Sequence, residues 1–510
     1  MIQKNNLAQK LILGYGSRIA IQFIQVVASI VVARVAGPTV LGTVAFGLAF
    51  VSIFEFIADL GIGTAHLKLV SEGQDMGTCI STYSVLKMIT TFLYFIVVFG
   101  LYLIQKLVFN VQFESTAHEY VIIILLVTVT INQLLRIPKA TFAGKTEQAK
   151  QSIPEFVRIL IYQIFRIIIV LLGYKAVALA LGNLAATILV IPLVLYLFKD
   201  YPRAKFDWQL ALRYLKISLP LIVIEMSAKV MHHIDKLALQ HFADSEQLGY
   251  YTAGYRIGGI VFMMETSVGI IFLPLFSKAA ADGNFQYIKT TTEKFERFCF
   301  LIVMPVVIFL SLYSDIIIKL FLGSQYVPSI PIMAVINLAM FVMVLNIPYS
   351  SVITGMGFFR LAAFLSLINL ILFVSLIYIF PNPDIVGLGA VGAAYAILFS
   401  SVFSGISHRF FAKQKCSILD LTKNIKFMLF GIINVIAFYF IYKYFSLMYG
   451  IHFKIVFVPL YFGITYLVLF FLGWITKEDV YNMKELINMR KLGSYIKNEM
   501  RNKSGHDTEL

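Results

Sequence analysis

Charge is scarce in this chain. Only 14% of its 510 residues are Asp, Glu, Lys or Arg, while 59% are hydrophobic, which excludes a soluble globular protein of ordinary makeup. Acid is scarcer than base, 27 residues against 42, leaving a net charge of +15. The three cysteines (Cys79, Cys299 and Cys416) show no metal-ligand spacing and fall near helix ends expected on the reducing side, so free thiols and no metal are expected. A phosphate loop is missing too. Gly144-Lys145-Thr146 resembles the end of one, but Lys139 stands where the earlier glycine belongs, so no ATPase and no cofactor is expected. The apolar runs are too long and continuous for barrel strands, which would alternate every second residue. The longest outer loop expected, about 105–118, leaves little room for the catalytic residues of a membrane polymerase or ligase, so an enzyme is not expected. Nor is a cleavable signal peptide, because the apolar run Leu11–Ala36 is too long for a signal core.

Long apolar runs are what the chain has instead. Fourteen stretches of roughly 20 residues each suit a helix crossing about 30 Å of hydrocarbon. They lie near 11–36, 41–63, 80–104, 119–138, 153–173, 176–198, 214–240, 249–275, 296–322, 328–353, 358–380, 385–410, 425–447 and 453–475. Basic residues gather in alternate connections: Lys199, Arg203, Lys205, Arg213 and Lys216 in one, Arg409, Lys413, Lys415, Lys423 and Lys426 in another. This positive-inside pattern predicts both termini in the cytoplasm. It also accounts for the basic balance without nucleic-acid binding. The tail after Lys477 is polar and mixed in charge; it either lies on the anionic inner leaflet or has no fixed structure.

A short cassette occurs twice, 207 positions apart, each time after a hydrophobic helix. Ala36, Leu41, Gly42 and Gly47 in Val35–Gly47 match Ala243, Leu248, Gly249 and Gly254 in Phe242–Gly254. Later echoes keep the order: Ile137-Pro138 and Ile347-Pro348 end the fourth and tenth runs, and Ala176-Val177-Ala178 and Ala390-Val391-Gly392 open the sixth and twelfth. The expectation is an all-α polytopic membrane protein of about 14 transmembrane helices. Two six-helix bundles, 1–198 and 214–410, are related by a pseudo-two-fold axis along the membrane normal. A cytoplasmic linker at 199–213 joins them, and an extra helix pair at 411–475 and a cytoplasmic tail at 476–510 follow.

Ala33-Arg34-Val35-Ala36-Gly37-Pro38 with Leu41-Gly42, Asp59-Leu60-Gly61-Ile62-Gly63, Ser218-Leu219-Pro220, Ile234-Asp235-Lys236, Tyr255-Arg256-Ile257 and Leu320-Phe321-Leu322-Gly323 carry a resemblance. In this order and spacing, across roughly residues 10–410, the chain resembles the polysaccharide (O-antigen type) flippase branch of the multidrug/oligosaccharidyl-lipid/polysaccharide exporter superfamily. The resemblance implies an inner-membrane transporter with a cavity between two bundles, alternating access, and an undecaprenyl-pyrophosphate-linked oligosaccharide as cargo. It also implies work beside glycosyltransferases and a polysaccharide polymerase, with membrane lipids around a protein acting as a monomer. A cation-coupled multidrug antiporter of the same superfamily is the alternative; its cavity would be aromatic and acidic without an arginine array.

Ionised side chains inside a membrane need a wet cavity or a partner. Arg18, Gln22 and Gln25 form one polar stripe on the first run, expected to face the cavity. Arg suits a pyrophosphate because its planar fork donates two hydrogen bonds and keeps its charge; a snorkelling Arg is the plainer reading of Arg18. Arg256 matches the basic position of the resemblance, and Lys87, Arg158 and Arg166 add positive charge to the first half. These, with Lys229, are the expected substrate-binding residues of a cationic chamber. Glu225, Lys229 and His232 share a stripe on the seventh run, an order that suits a Glu225–Lys229 pair. Coupling to an ion is expected of Glu225, His232, Glu265 and the i, i+4 carboxylates Glu55 and Asp59. Of these two, either one holds a proton or Asp59 pairs near the helix end.

Overall fold

The computed structural model describes residues 7–109, 113–145, 147–259, 272–273, 275–415 and 425–474. Among them the regular elements are helices, as a lipid-embedded backbone requires when it must satisfy its own polar groups. Eight are long and apolar enough to cross a membrane, so this is a multi-pass membrane protein. In the first half α1 (Leu7–Ser52), α2 (Glu55–Asp59), α3 (Ile62–Ser71), α4 (Met76–Leu107), α5 (Thr116–Gly144), α6 (Gln148–Leu171) and α7 (Ala176–Phe198) follow one another. Then come α8 (Trp208–Phe242) and α9 (Ser245–Gly258). α10 (Phe285–Phe298) continues through a π turn at Cys299–Val303 into α11 (Met304–Leu312), followed by α12 (Ser314–Phe321). α13 (Ser329–Gly355), α14 (Phe359–Ile379), α15 (Gly389–Lys415) and α16 (Ile425–Phe471) close the order.

Two of the expected runs join into α1, which breaks sharply at Gly37 (φ 81°, ψ 171°). That conformation is open to glycine at little cost, and Pro38 then starts the second limb with its φ already helical. The carbonyls stranded at the end of the first limb do not stay bare. Tyr326 donates to the Ala33 carbonyl at 2.9 Å and Gln325 to that of Arg34 at 2.9 Å. The second limb breaks as well, through α2 and the left-handed Leu60 (φ 44°) and Gly61 (φ 76°). Polar side chains of α4 answer the freed backbone: Tyr94 bonds the Val51 carbonyl, while Thr90 and Lys87 bond that of Ala58. This is why a long apolar helix tolerates Lys87, Thr90 and Tyr94 on one face.

The proline echoes do not end their helices. Pro138 and Pro348 lie inside α5 and α13, which run on to Gly144 and Gly355. A proline costs one backbone hydrogen bond, at Pro138 the one to the Leu134 carbonyl, and does not by itself end a helix that packs on both sides of it. The glycines that follow allow close packing. A Cβ on Gly144 would sit 2.9 Å from Val70, and one on Gly355 would sit 3.2 Å from Ser277. The run expected at 296–322 is likewise divided, between α10, α11 and α12.

α8 begins against the first half and ends against the second. Its Asp207 cap holds Leu210 N at 2.9 Å, and Tyr214 enters a core of Ile62, Leu69, Val70, Cys79 and Tyr83. There Tyr214 Oη lies 2.7 Å from His66 Nδ1, while His66 Nε2 meets Thr141 Oγ1 at 2.9 Å and its ring stacks on Tyr83. A buried imidazole with both nitrogens bonded ties the start of α8 firmly to α3, α4 and α5.

Candidate functional site

A cavity of about 510 Å³ opens between α1, α6, α8 and α9, inside the range of small-molecule sites. Gln22, Gln25 and Ser29 come from α1, and Tyr162, Gln163 and Arg166 from α6. Across from them stand His232, His233 and Lys236 of α8 and Tyr255 and Arg256 of α9. Neutral groups hold the two arginines. Arg256 Nη1 donates to Ser29 Oγ, and Arg166 Nη1 donates to Gln163 Oε1 at 2.8 Å with its guanidinium 5.5 Å from the Tyr162 ring. Lys236 lies 3.1 Å from Asp235, which also accepts the Tyr251 hydroxyl at 2.5 Å. Among the described residues no Asp or Glu lines this cavity. Two arginines with neutral described partners in a low-dielectric wall therefore make a positive chamber, with the Asp235-paired Lys236 beside them.

Residues 31–331, more than half of the chain, match the model of a family described as polysaccharide biosynthesis protein. The chain belongs to that family. A Shigella flexneri relative named "Putative O-antigen transporter" is 21% identical over 199 residues, an alignment covering 39% of this chain and 46% of that relative. The chain thus spans less than half the length of the relative it matches. Among solved structures, lipid II flippase MurJ in an inward closed conformation superposes with a TM-score of 0.69 at 16% identity, covering 91% of this chain and 99% of that one. An inward-facing multidrug resistance MATE family transporter of the MOP superfamily gives 0.66 at 15% identity, covering 79% and 98%. These likenesses establish the fold.

In this polysaccharide biosynthesis protein the expected site residues divide into three groups. Gln22, Gln25, Arg166, Arg256 and His232 line the central cavity. Adjacent His232 and His233 meet edge to face, and no metal-binding cluster occurs among the described residues. Arg18 falls within α1, but its side chain lies outside the described residues, as does Glu265 altogether.

The second group is a charge network beside the cavity. Lys87 Nζ, fully buried, lies 2.8 Å from Asp59 and 3.0 Å from Gln133 Oε1. Arg136 approaches Asp59 at 3.6 Å and Glu55 at 3.8 Å, and Lys229 reaches across from α8 to Glu55 at 2.8 Å. The close carboxylates Glu55 and Asp59 are thus matched by three cations, which removes the need for a shared proton. Lys229 bonds Glu55 rather than Glu225, its expected partner one helical turn away, and Glu225 stays half-buried on α8. Lys87 acts in this network and not in the cavity. Replacing it with Met should cost about 3 kcal/mol, because it strands a carboxylate at a largely buried site. The check is the thermal midpoint in detergent: Lys87→Met should fall well below wild type, and Lys87→Met/Asp59→Asn should recover part of the loss.

The third group sits in a side chamber of about 310 Å³ between α5, α6 and α7, where Arg158 bonds Glu155 at 2.8 Å and Lys139 approaches the same carboxylate at 3.2 Å. Arg158 and Arg166 therefore share a helix but serve different spaces. Sequence reasoning missed Arg136, Lys236, Gln163 and Asn183. Asn183 had a readable signal: it is the one carboxamide in the otherwise apolar run 176–198, and such a residue in a membrane helix calls for a reason.

The two cassette copies meet each other at the Gly37 end of the cavity. A Cβ on Gly42 would lie 1.8 Å from the Ser245 carbonyl oxygen, and one on Gly249 would lie 2.0 Å from the Pro38 carbonyl oxygen. The contact is reciprocal, because Pro38 precedes Gly42 by four residues as Ser245 precedes Gly249. Polar bonds brace it. Glu114 accepts from Ser245 N at 2.9 Å and from Gln240 Nε2 at 2.7 Å, and His118 Nε2 meets Ser245 Oγ at 2.8 Å. Burial pushes the Glu114 carboxyl up, but the bonds from Ser245 and Gln240 outweigh it and hold the group below its ordinary range.

Proposed function

We propose that the protein moves an undecaprenyl-diphosphate-linked oligosaccharide from the inner to the outer leaflet of the cytoplasmic membrane by alternating access, for surface polysaccharide assembly. The carrying observation is the cavity that sets Arg166 and Arg256, each bonded to neutral groups, together with no described carboxylate on its wall. A diphosphate is the complementary cargo: it keeps its charge in a membrane setting and takes the bidentate hydrogen bonds of arginine. The same lining opposes an organic-cation cargo by like-charge repulsion.

The positive-inside pattern supports cytoplasmic termini, an orientation in which the Gly37 end is the outer one. The reciprocal glycine contact then closes the outer mouth, leaving the cavity to load from inside. Flipping consists of parting this contact while the polyprenyl tail stays in lipid. An inside-negative potential favours outward movement of the anionic headgroup by about 2.3 kcal/mol per charge per 100 mV. Glycosyltransferases supply the cargo and a polymerase consumes it.

Cells that natively make the protein supply the test. Its removal should leave the complete lipid-linked glycan accumulating where an externally added, membrane-impermeant glycosidase does not reach it. Unchanged surface polysaccharide without such accumulation would refute the reading.

A further inference from the structure

The side chamber has a composition unlike that of the central cavity, and the two adjoin. Leu48 and Asn183 belong to the walls of both. The side chamber carries cations too, but each is matched by a carboxylate: Arg136 by Glu55 and Asp59, Lys139 and Arg158 by Glu155, and Lys150 by Glu147. Beside these pairs it presents carboxamides, Asn132, Gln133, Gln151 and Asn183, with Phe142 as an apolar surface. The Asn183 Oδ1 atom is buried without a hydrogen-bond partner, a cost that a bound donor would relieve. Carboxamides pair an acceptor with two donors, the pattern that matches adjacent hydroxyl groups on a sugar ring. Glu155, shared between Arg158 and Lys139, adds a charged acceptor to the same wall.

Resting on the diphosphate assignment above, we infer that the side chamber binds the first sugar of the cargo while Arg166 and Arg256 hold its diphosphate. Arg158 and Arg166 mark the two compartments on one helix, eight residues or about 12 Å apart along its axis. A diphosphate joined to one sugar ring spans a distance of that order. The chamber's volume of about 310 Å³ stands at the lower end of ligand pockets, which suits a single sugar and not a whole repeat unit. The chamber therefore reads the sugar next to the lipid, and the rest of the glycan extends toward the cytoplasmic mouth.

The test is a binding titration of the full-length protein in nanodiscs with two probes. One is undecaprenyl diphosphate, and the other is undecaprenyl diphosphate bearing one N-acetylglucosamine. Wild type should bind the sugar-bearing lipid about tenfold more tightly, and Asn132→Ala/Gln151→Ala, at two residues that line the side chamber and not the central cavity, should erase that difference while leaving the bare lipid unchanged. The bare lipid thus also reports whether the variant is folded. Equal loss on both probes, no sugar increment in wild type, or an increment that survives in the variant would each overturn the inference. If wild type binds neither lipid, the diphosphate assignment itself fails.

Discussion

Arg256→Gln should lower transport of the lipid-linked glycan about 100-fold with the protein still present in the membrane at normal levels. Arg256 lines the cavity where α1 meets α9, and its one described hydrogen bond is to the neutral Ser29. Its charge is therefore left to the cargo. Removing one partner of a desolvated, hydrogen-bonded charge pair costs about 2–5 kcal/mol, and about 2.7 kcal/mol corresponds to the hundredfold stated. Arg166→Gln should act in the same direction. Surface polysaccharide measured against membrane protein abundance separates this from misfolding. Arg256→Lys should recover only part of the activity, since an ammonium keeps the charge but loses the fork.

Gly249→Ala should be nearly as damaging, through the opposite end of the cycle. One added methyl would lie 2.0 Å from a backbone carbonyl oxygen, and backbone yields less than a side chain does. If the clash costs the closed mouth about 3 kcal/mol, within the usual overpacking range, the balance of closed to open shifts by about 150-fold. The readout is a cysteine at Leu41, a buried wall residue of the cavity near the contact, in a background without the natural cysteines. Leu41→Cys alone should resist a membrane-impermeant maleimide added outside, and Leu41→Cys with Gly249→Ala should be labelled rapidly. Equal labelling of the two would show that the glycine contact does not close the outer mouth.

The helical plan was legible because hydrocarbon leaves the backbone few options, so runs such as 176–198 and 358–380 map closely onto α7 and α14. The duplicated cassette was legible as a pattern, though not as a contact. Gly42 and Gly249 are 207 positions apart, and only the folded chain brings them together. The breaks were harder to read. Pro138 looks like a stop signal in isolation, but α5 continues past it to Gly144. The polar residues show the limit most clearly. Along the chain Lys87 reads as a cavity cation and Lys229 as a partner of Glu225, and Arg136 does not read as a site residue; their matching to Glu55 and Asp59 depends on how four helices pack. Arg166 and Arg256, by contrast, face a cavity because α1, α6, α8 and α9 bring no described carboxylate to it.

The most direct measurement is translocation of a fluorescent undecaprenyl-diphosphate oligosaccharide by the purified protein in proteoliposomes, under an imposed potential. The predicted result is transfer between leaflets by wild type and its near-complete loss in Arg256→Gln. A wild-type protein that leaves the lipid-linked glycan in place, and instead exports small organic cations against a proton or sodium gradient, would contradict it.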